Sequence, residues 1–268
     1  MRRRPWDISH KEMRKFGLTK AQMASTNAYT KEQYSNNAWH EAAHAVVGDA
    51  VGLDAEFIDL TPHIEKYENG CLYVTAAQTK ERQPTRQESI SALNGDQYAI
   101  DLIERHFVVG MAGVVFDLQN RHFGGGVDIW DIIARAINLY HGDTEKCASV
   151  IRASAIRAAT CLDSKSANLK ALARKAMELQ MMDRSEIETI LRLDLRNKPI
   201  GFVKHADIKL LFTVGQGIEP RCQIGLLNQD PSSDSMTITT QPPYEVFVRL
   251  DETMVNEIVH RFDVGAKP

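Results

Sequence analysis

The chain has 268 residues, of which 43% are hydrophobic and 25% are charged, and its formal net charge is −3. This length suits one large domain or a core domain with an appendage, and the composition is ordinary for a soluble globular protein. The charge gives no indication of nucleic-acid binding, and no apolar run approaches the roughly 20 residues that span a bilayer.

The first 29 residues are polar and are predicted to form a surface arm. The basic residues at positions 2–4 are not followed by an apolar run, so they predict neither a signal peptide nor a membrane anchor. One short helix is predicted over residues 9–16, with Ser9 as its cap and Gly17 as its stop.

The second predicted helix runs over residues 30–51. Thr30 and Gln33 form a capping-box pattern at its start, the run continues without Gly or Pro through Val47, and Gly52 ends it. The middle of this helix contains the pattern His-Glu-x-x-His.

The three fixed positions of that pattern are His40, Glu41 and His44. Residues four apart lie on one face of a helix, so both imidazoles can bind one metal ion. Glu41 is then suited to accept a proton from the attacking water, as in zinc peptidases. Small apolar neighbours predict a buried helix, where an unpaired His or Glu would cost on the order of a few kcal/mol. We therefore predict bound Zn²⁺.

Strand-like alternation follows at residues 56–60, and residues 71–76 are predicted to form the partner strand. Asn69 and Gly70 provide the turn signal between them. Residues 77–95 are polar and are predicted to form an exposed loop at the rim of the substrate site. A small sheet should therefore flank the metal-binding helix.

Apolar periodicity predicts mainly helices up to residue 195, and strands after residue 199. The predicted helices cover residues 96–118, a segment that begins at 129, and residues 144–160, 166–182 and 183–195. The predicted strands cover 208–214, 223–227, 236–239 and 244–250, and a closing helix covers 253–262. The predicted fold class is mainly α, a helical zinc metallopeptidase domain with a small flanking sheet and a small α+β appendage. The predicted domain divisions are an N-terminal arm of residues 1–29, a zinc peptidase domain of residues 30–198 and a strand-rich C-terminal subdomain of residues 199–268.

A catalytic zinc site normally has a third protein ligand and one position left for water. The pattern with a third histidine six residues after the second also needs a glycine between them, but the chain has Val47 and Ala50 at those places. The pattern with a glutamate on a following helix would use Glu65 or Glu68, both of which lie in a predicted turn. The first pattern therefore fails, and the second is a weak match.

The remaining candidates lie where the glycine run at 124–126 leads into a helix. Asp128 directly follows this run, and Asp131 lies one turn further on. Helix geometry allows either carboxylate to face the two histidines. Both therefore remain candidates for the third ligand.

Across residues 30–195 the chain resembles the peptidase domain of FtsH-type, membrane-anchored ATP-dependent zinc proteases. The matching stretches are 30–32, 38–48, 72–75, 110–112, 124–129, 169–173 and 186–187. The resemblance implies that Asp128 is the third zinc ligand. It also implies that Leu72, Tyr73, Val74 and Thr75 form a strand that pairs with extended substrate.

Two departures from this family pattern concern the site. Ala43 replaces a glycine of the zinc motif, and residues 110–114 lack the charges of the corresponding family segment. The family's ATPase module and membrane anchor are also absent from the sequence. We therefore expect protein or peptide substrates, and a separate ATPase or adaptor as a further partner. An oligomer is compatible with this expectation.

The four cysteines are widely scattered, which argues against a zinc ribbon or a disulfide framework and favours the cytoplasm. They are Cys71, Cys147, Cys161 and Cys222. The predicted activity is that of a zinc endopeptidase. One rival is a non-catalytic, zinc-binding regulatory or interaction protein derived from a peptidase fold, and another is a helical scaffold without metal.

Overall fold

Helices form most of the residues that the structure describes, and a small three-stranded sheet accompanies them, as predicted for a mainly α fold. The computed structural model describes residues 4–19, 30–66, 72–75, 77–120, 126–202, 208–215 and 244–251. Contacts within the chain divide it into two compact units, one of residues 1–82 with 165–198 and one of residues 83–164 with 199–268. The predicted domain divisions stay a prediction.

The described helices and strands are numbered here in chain order. The helices are α1 (His10–Lys15), α2 (Lys31–Val51), α3 (Arg86–Leu93), α4 (Gln97–Gln119), α5 (Gly126–Leu139), α6 (Thr144–Ser164), α7 (Ser166–Leu179) and α8 (Arg184–Leu191). The strands are β1 (Ala55–Asp59), β2 (His63–Lys66), β3 (Leu72–Thr75), β4 (Gln78–Glu81), β5 (Met181–Asp183), β6 (Ile208–Gly215) and β7 (Tyr244–Asp251).

Helix α2 has the ends that its sequence predicts. The Thr30 hydroxyl accepts from the Gln33 backbone N–H at 3.1 Å, and the Gln33 side chain accepts from the Thr30 N–H at 2.8 Å. Gly52 ends the helix in the left-handed region at φ +77°, and Leu53 N–H then donates to the Gly48 carbonyl at 2.8 Å. A Cβ atom on Gly48 would lie 2.4 Å from the Leu53 oxygen, so this turn requires glycine at both positions.

Helix α2 packs against α7 within the first unit. Alanines at 38, 42 and 45 on α2 are fully buried, and so are Leu169 and Leu172 on α7. Small side chains on one helix let the large ones of the other approach closely, and burying each leucine stabilises the fold by about 2 kcal/mol. The Lys165 ammonium also pairs with the Asp49 carboxylate in the last turn of α2.

The three-stranded sheet has the order β4-β1-β5 and is antiparallel. Ile58 in the central strand lies opposite Thr79 on one side and Met182 on the other. The prediction that residues 71–76 pair with this first strand is wrong, because β3 pairs with β2 in a separate two-stranded sheet. Strand pairing is a long-range choice, and a turn signal does not determine it.

The prediction of an exposed loop over residues 77–95 is also wrong. This segment contains β4 and α3. The apolar alternation typical of a strand is absent from β4 because its sequence is polar throughout, and Glu81 is its only buried residue. The start of helix α3 does have a sequence signal, because Thr85 and Glu88 form a capping box.

The N-terminal segment is packed within the first unit. Its helix α1 is capped as predicted, because the Ser9 hydroxyl accepts from the Glu12 backbone N–H at 3.0 Å. Ile8 and Met13 are buried together with Ile64 of β2. The predicted surface arm therefore carries apolar side chains that contribute to the core.

In the second unit, the apolar half of α4 is buried, as predicted. Helices α3, α5 and α6 pack against α4, and a Cβ atom on Gly110 would lie 2.8 Å from the Ile132 side chain. Strands β6 and β7 confirm two predicted strands and pair in parallel. The strands predicted at 223–227 and 236–239, and the helix predicted at 253–262, lie outside the described residues.

Candidate metal centre

The His-Glu-x-x-His pattern lies on one buried turn of α2. His40 is 9% exposed, Glu41 7% and His44 6%. The Nε2 atoms of His40 and His44 are 3.0 Å apart, and their rings meet edge to face. The i, i+4 spacing therefore places the two imidazoles together as expected.

Asp128 completes a group of three possible metal ligands. One ring nitrogen of His40, one of His44 and one carboxylate oxygen of Asp128 all lie within 4.8 Å of one another. Asp128 lies in the first turn of α5, where the helix N-terminus favours a negative charge.

Asp131, the alternative third ligand, is engaged elsewhere. Its carboxylate pairs with the Arg135 guanidinium at 2.7 Å, and its side chain is 56% exposed. Among the described residues, the group of possible ligands contains Asp128 and does not contain Asp131. Glu65, from the rejected alternative with a glutamate on a helix, lies in strand β2.

The donor set suits a zinc ion. Two histidine nitrogens and one carboxylate oxygen are the ligand types of catalytic zinc sites, which keep a further position open. Two nitrogens bound to one tetrahedral zinc at about 2.0–2.1 Å lie about 3.3 Å apart. The observed 3.0 Å separation is close to this value. Without a metal, one imidazole N–H can donate to the other ring at the same distance.

Comparison with known proteins assigns this chain to no family. No protein-family model matches this sequence, and no curated protein matches it. Only the residues of this chain and their geometry therefore indicate a function.

Glu41 is held in this turn by a contact that the sequence analysis did not predict. The Thr79 hydroxyl, on strand β4, donates to the Glu41 backbone carbonyl at 2.9 Å. A bond to a backbone acceptor leaves no residue-type pattern in the sequence, so only the tertiary structure shows it.

The predicted substrate strand, Leu72 to Thr75, forms β3 and pairs with β2. Its role in substrate binding stays a prediction. Strand β4 donates a hydrogen bond to the turn that carries the two candidate histidine ligands.

Within the parts of the chain that the structure describes, every helix is too short or too polar to cross a membrane.

Proposed function

We propose that this protein is a zinc-dependent endopeptidase that resembles the peptidase domain of FtsH-type proteases. The observation that carries the proposal is the group of His40, His44 and Asp128, with the buried Glu41 beside it on α2. Asp128 lies 84 positions after His44 in the sequence, yet one of its carboxylate oxygens lies within 4.8 Å of the histidine nitrogens. This grouping supports a metal site more strongly than the His-Glu-x-x-His pattern alone.

The roles follow from the chemistry of each side chain. His40, His44 and Asp128 would hold the ion, and zinc, when bound, supplies Lewis-acid activation of water and of a peptide carbonyl. Glu41 takes a proton from the attacking water and later gives it to the leaving amine, as a general base and then a general acid. The low exposure of Glu41 limits competing bulk water at its carboxylate.

We further propose that the substrates are flexible protein or peptide segments. A peptidase site can cut only chain that is already unfolded, so cleavage of folded targets would require the action of an ATPase or adaptor. We place this activity in the cytoplasm because the scattered cysteines fit a reducing compartment.

The test combines metal analysis with hydrolysis of fluorescein-labelled casein. Glu41→Gln should lower hydrolysis by about 10²-fold or more, because amide nitrogen cannot accept the proton, while zinc content stays near wild type. Glu32→Gln is the matched control, since Glu32 is an exposed residue in the first turn of the same helix. Its hydrolysis rate should equal that of the wild type.

Other outcomes lead to different conclusions. Loss of zinc in Glu41→Gln would make Glu41 a ligand and contradict its assigned role. One bound zinc per chain with no cleavage of casein would favour a non-catalytic zinc-binding protein. A protein whose thermal stability does not change with added zinc would favour a scaffold without metal.

A further inference from the structure

A hydrogen bond joins Thr79 of strand β4 to the turn of α2 that carries the two candidate histidine ligands. The Thr79 hydroxyl donates to the Glu41 carbonyl at 2.9 Å, across 38 positions in the sequence. Inside an α-helix that carbonyl already accepts the N–H of the residue four positions later. A carbonyl oxygen has two lone pairs, so the Thr79 hydroxyl adds a second bond to an acceptor that is already satisfied.

Because the acceptor is satisfied without it, this bond is unnecessary for helix formation. What it adds is a fixed distance between strand β4 and the backbone of Glu41, the residue that directly follows the candidate ligand His40 and lies within one turn of His44. Side chains that lock such groups in place control activity and metal affinity even when they touch neither metal nor substrate.

Strand β4 is well placed to impose this position. It pairs with the central strand β1, where Thr79 lies opposite the fully buried Ile58. Alternation along β4 directs Thr79 and Glu81 to the side away from the exposed Gln78 and Lys80. The Glu81 side chain lies 3.9 Å from the point where a Cβ of Gly48 would be. The strand therefore contacts α2 at two places, Glu41 and Gly48.

We propose that Thr79 is a positioning residue for the metal-binding turn, and that its hydroxyl holds the Glu41 backbone where the side chains of Glu41 and the two histidines act. This inference depends on the proposed zinc peptidase. Thr79 itself contacts neither the substrate nor the ligand atoms in this role.

Two substitutions separate the hydroxyl from the bulk of the side chain. Thr79→Val keeps the shape and suits a strand, but it removes the donor. Thr79→Ser keeps the donor and removes a methyl group. Thr189→Val is the matched control, because the Thr189 hydroxyl also donates to a helix carbonyl, that of Ser185 at 2.7 Å, on the exposed side of α8.

The measurements are zinc affinity by competition with a chromophoric chelator, and kcat and KM on labelled casein. Thr79→Val should weaken zinc binding about tenfold and lower kcat about tenfold, with KM nearly unchanged. Thr79→Ser should restore both values to near wild type, and Thr189→Val should leave both unchanged. Cobalt-substituted Thr79→Val should also show an altered d–d absorption spectrum, which Thr79→Ser should not.

The results distinguish this inference from the proposed function. Wild-type zinc affinity and kcat in Thr79→Val would overturn the role of Thr79 alone, and so would a Thr79→Ser variant as impaired as Thr79→Val. If the wild type binds zinc but does not cut casein, the peptidase proposal fails, and the zinc affinities and cobalt spectra still test Thr79. A wild-type protein that binds no zinc would overturn both.

Discussion

Replacing Asp128 and Asp131 separately by asparagine compares two carboxylates three positions apart on α5. Asp128 belongs to the group of possible ligands, whereas Asp131 forms an exposed i, i+4 ion pair with Arg135 at 2.7 Å. Asp128→Asn should weaken zinc binding by about tenfold or more, because a neutral amide oxygen is a poorer zinc ligand than a carboxylate. Asp131→Asn should change the zinc Kd by less than about twofold, since it removes only a surface pair.

The same comparison can be made on the free energy of unfolding. Zinc at 100 times the wild-type Kd stabilises the folded wild type by about 2.7 kcal/mol, and a tenfold weaker site reduces this to about 1.4 kcal/mol. Asp131→Asn should keep the full zinc effect and lose about 0.3–0.5 kcal/mol with or without zinc, the usual value of an exposed helix pair.

Urea unfolding followed by circular dichroism, with and without zinc, measures these quantities. The ligand assignment would move to Asp131 if the two variants showed the reverse ranking. Equal zinc effects in both variants and the wild type would remove α5 from the site.

Two further predictions concern the stability of the first unit. Gly48→Ala should destabilise the protein by about 1–3 kcal/mol in urea unfolding, because its Cβ would lie 2.4 Å from the Leu53 oxygen and strain there outweighs the better helix propensity of alanine. Gly52→Ala meets nothing within 4 Å and should lose only about 1–2 kcal/mol through its positive φ; a larger loss than in Gly48→Ala would refute this ranking. Burial, with a smaller contribution from Asp59, raises the pKa of Tyr34 to about 12. The unfolded chain therefore releases the Tyr34 proton at a lower pH than the folded protein does, and the free energy of unfolding should fall as the pH rises from about 10 to 12. Tyr34→Phe should show a shallower fall over this interval in pH-dependent unfolding, and an equal slope would contradict the assignment.

Local chemistry explains which parts of the fold were predictable from the sequence. The capping box of Thr30 and Gln33 and the stop at Gly52 set both ends of α2, and each depends on residues close in the chain. Strand pairing has no such local determinant. Strand β5 has three residues, and its partner β1 lies more than 120 positions earlier, so periodicity could not reveal the pair.

The candidate site divides in the same way. His40 and His44 meet because helix geometry brings residues four apart together. Sequence spacing narrowed the choice of third ligand only to Asp128 or Asp131, and the family resemblance favoured Asp128. The structure groups Asp128 with the two histidines. The contact of Thr79 with the Glu41 backbone oxygen could not be predicted, because a bond to a backbone acceptor requires no particular residue type at the acceptor position.

The discontinuous first unit has a consequence for synthesis on the ribosome. Helix α2 is made before its partner α7, which begins at Ser166, after an intervening segment of about 80 residues that belongs to the second unit. At 5–20 residues per second, the ribosome needs about 4–16 s to add that segment. During this delay the alanine-rich surface of α2 has no α7 to cover it, so the nascent chain presents an apolar helix that a chaperone could bind before the histidine pair is enclosed.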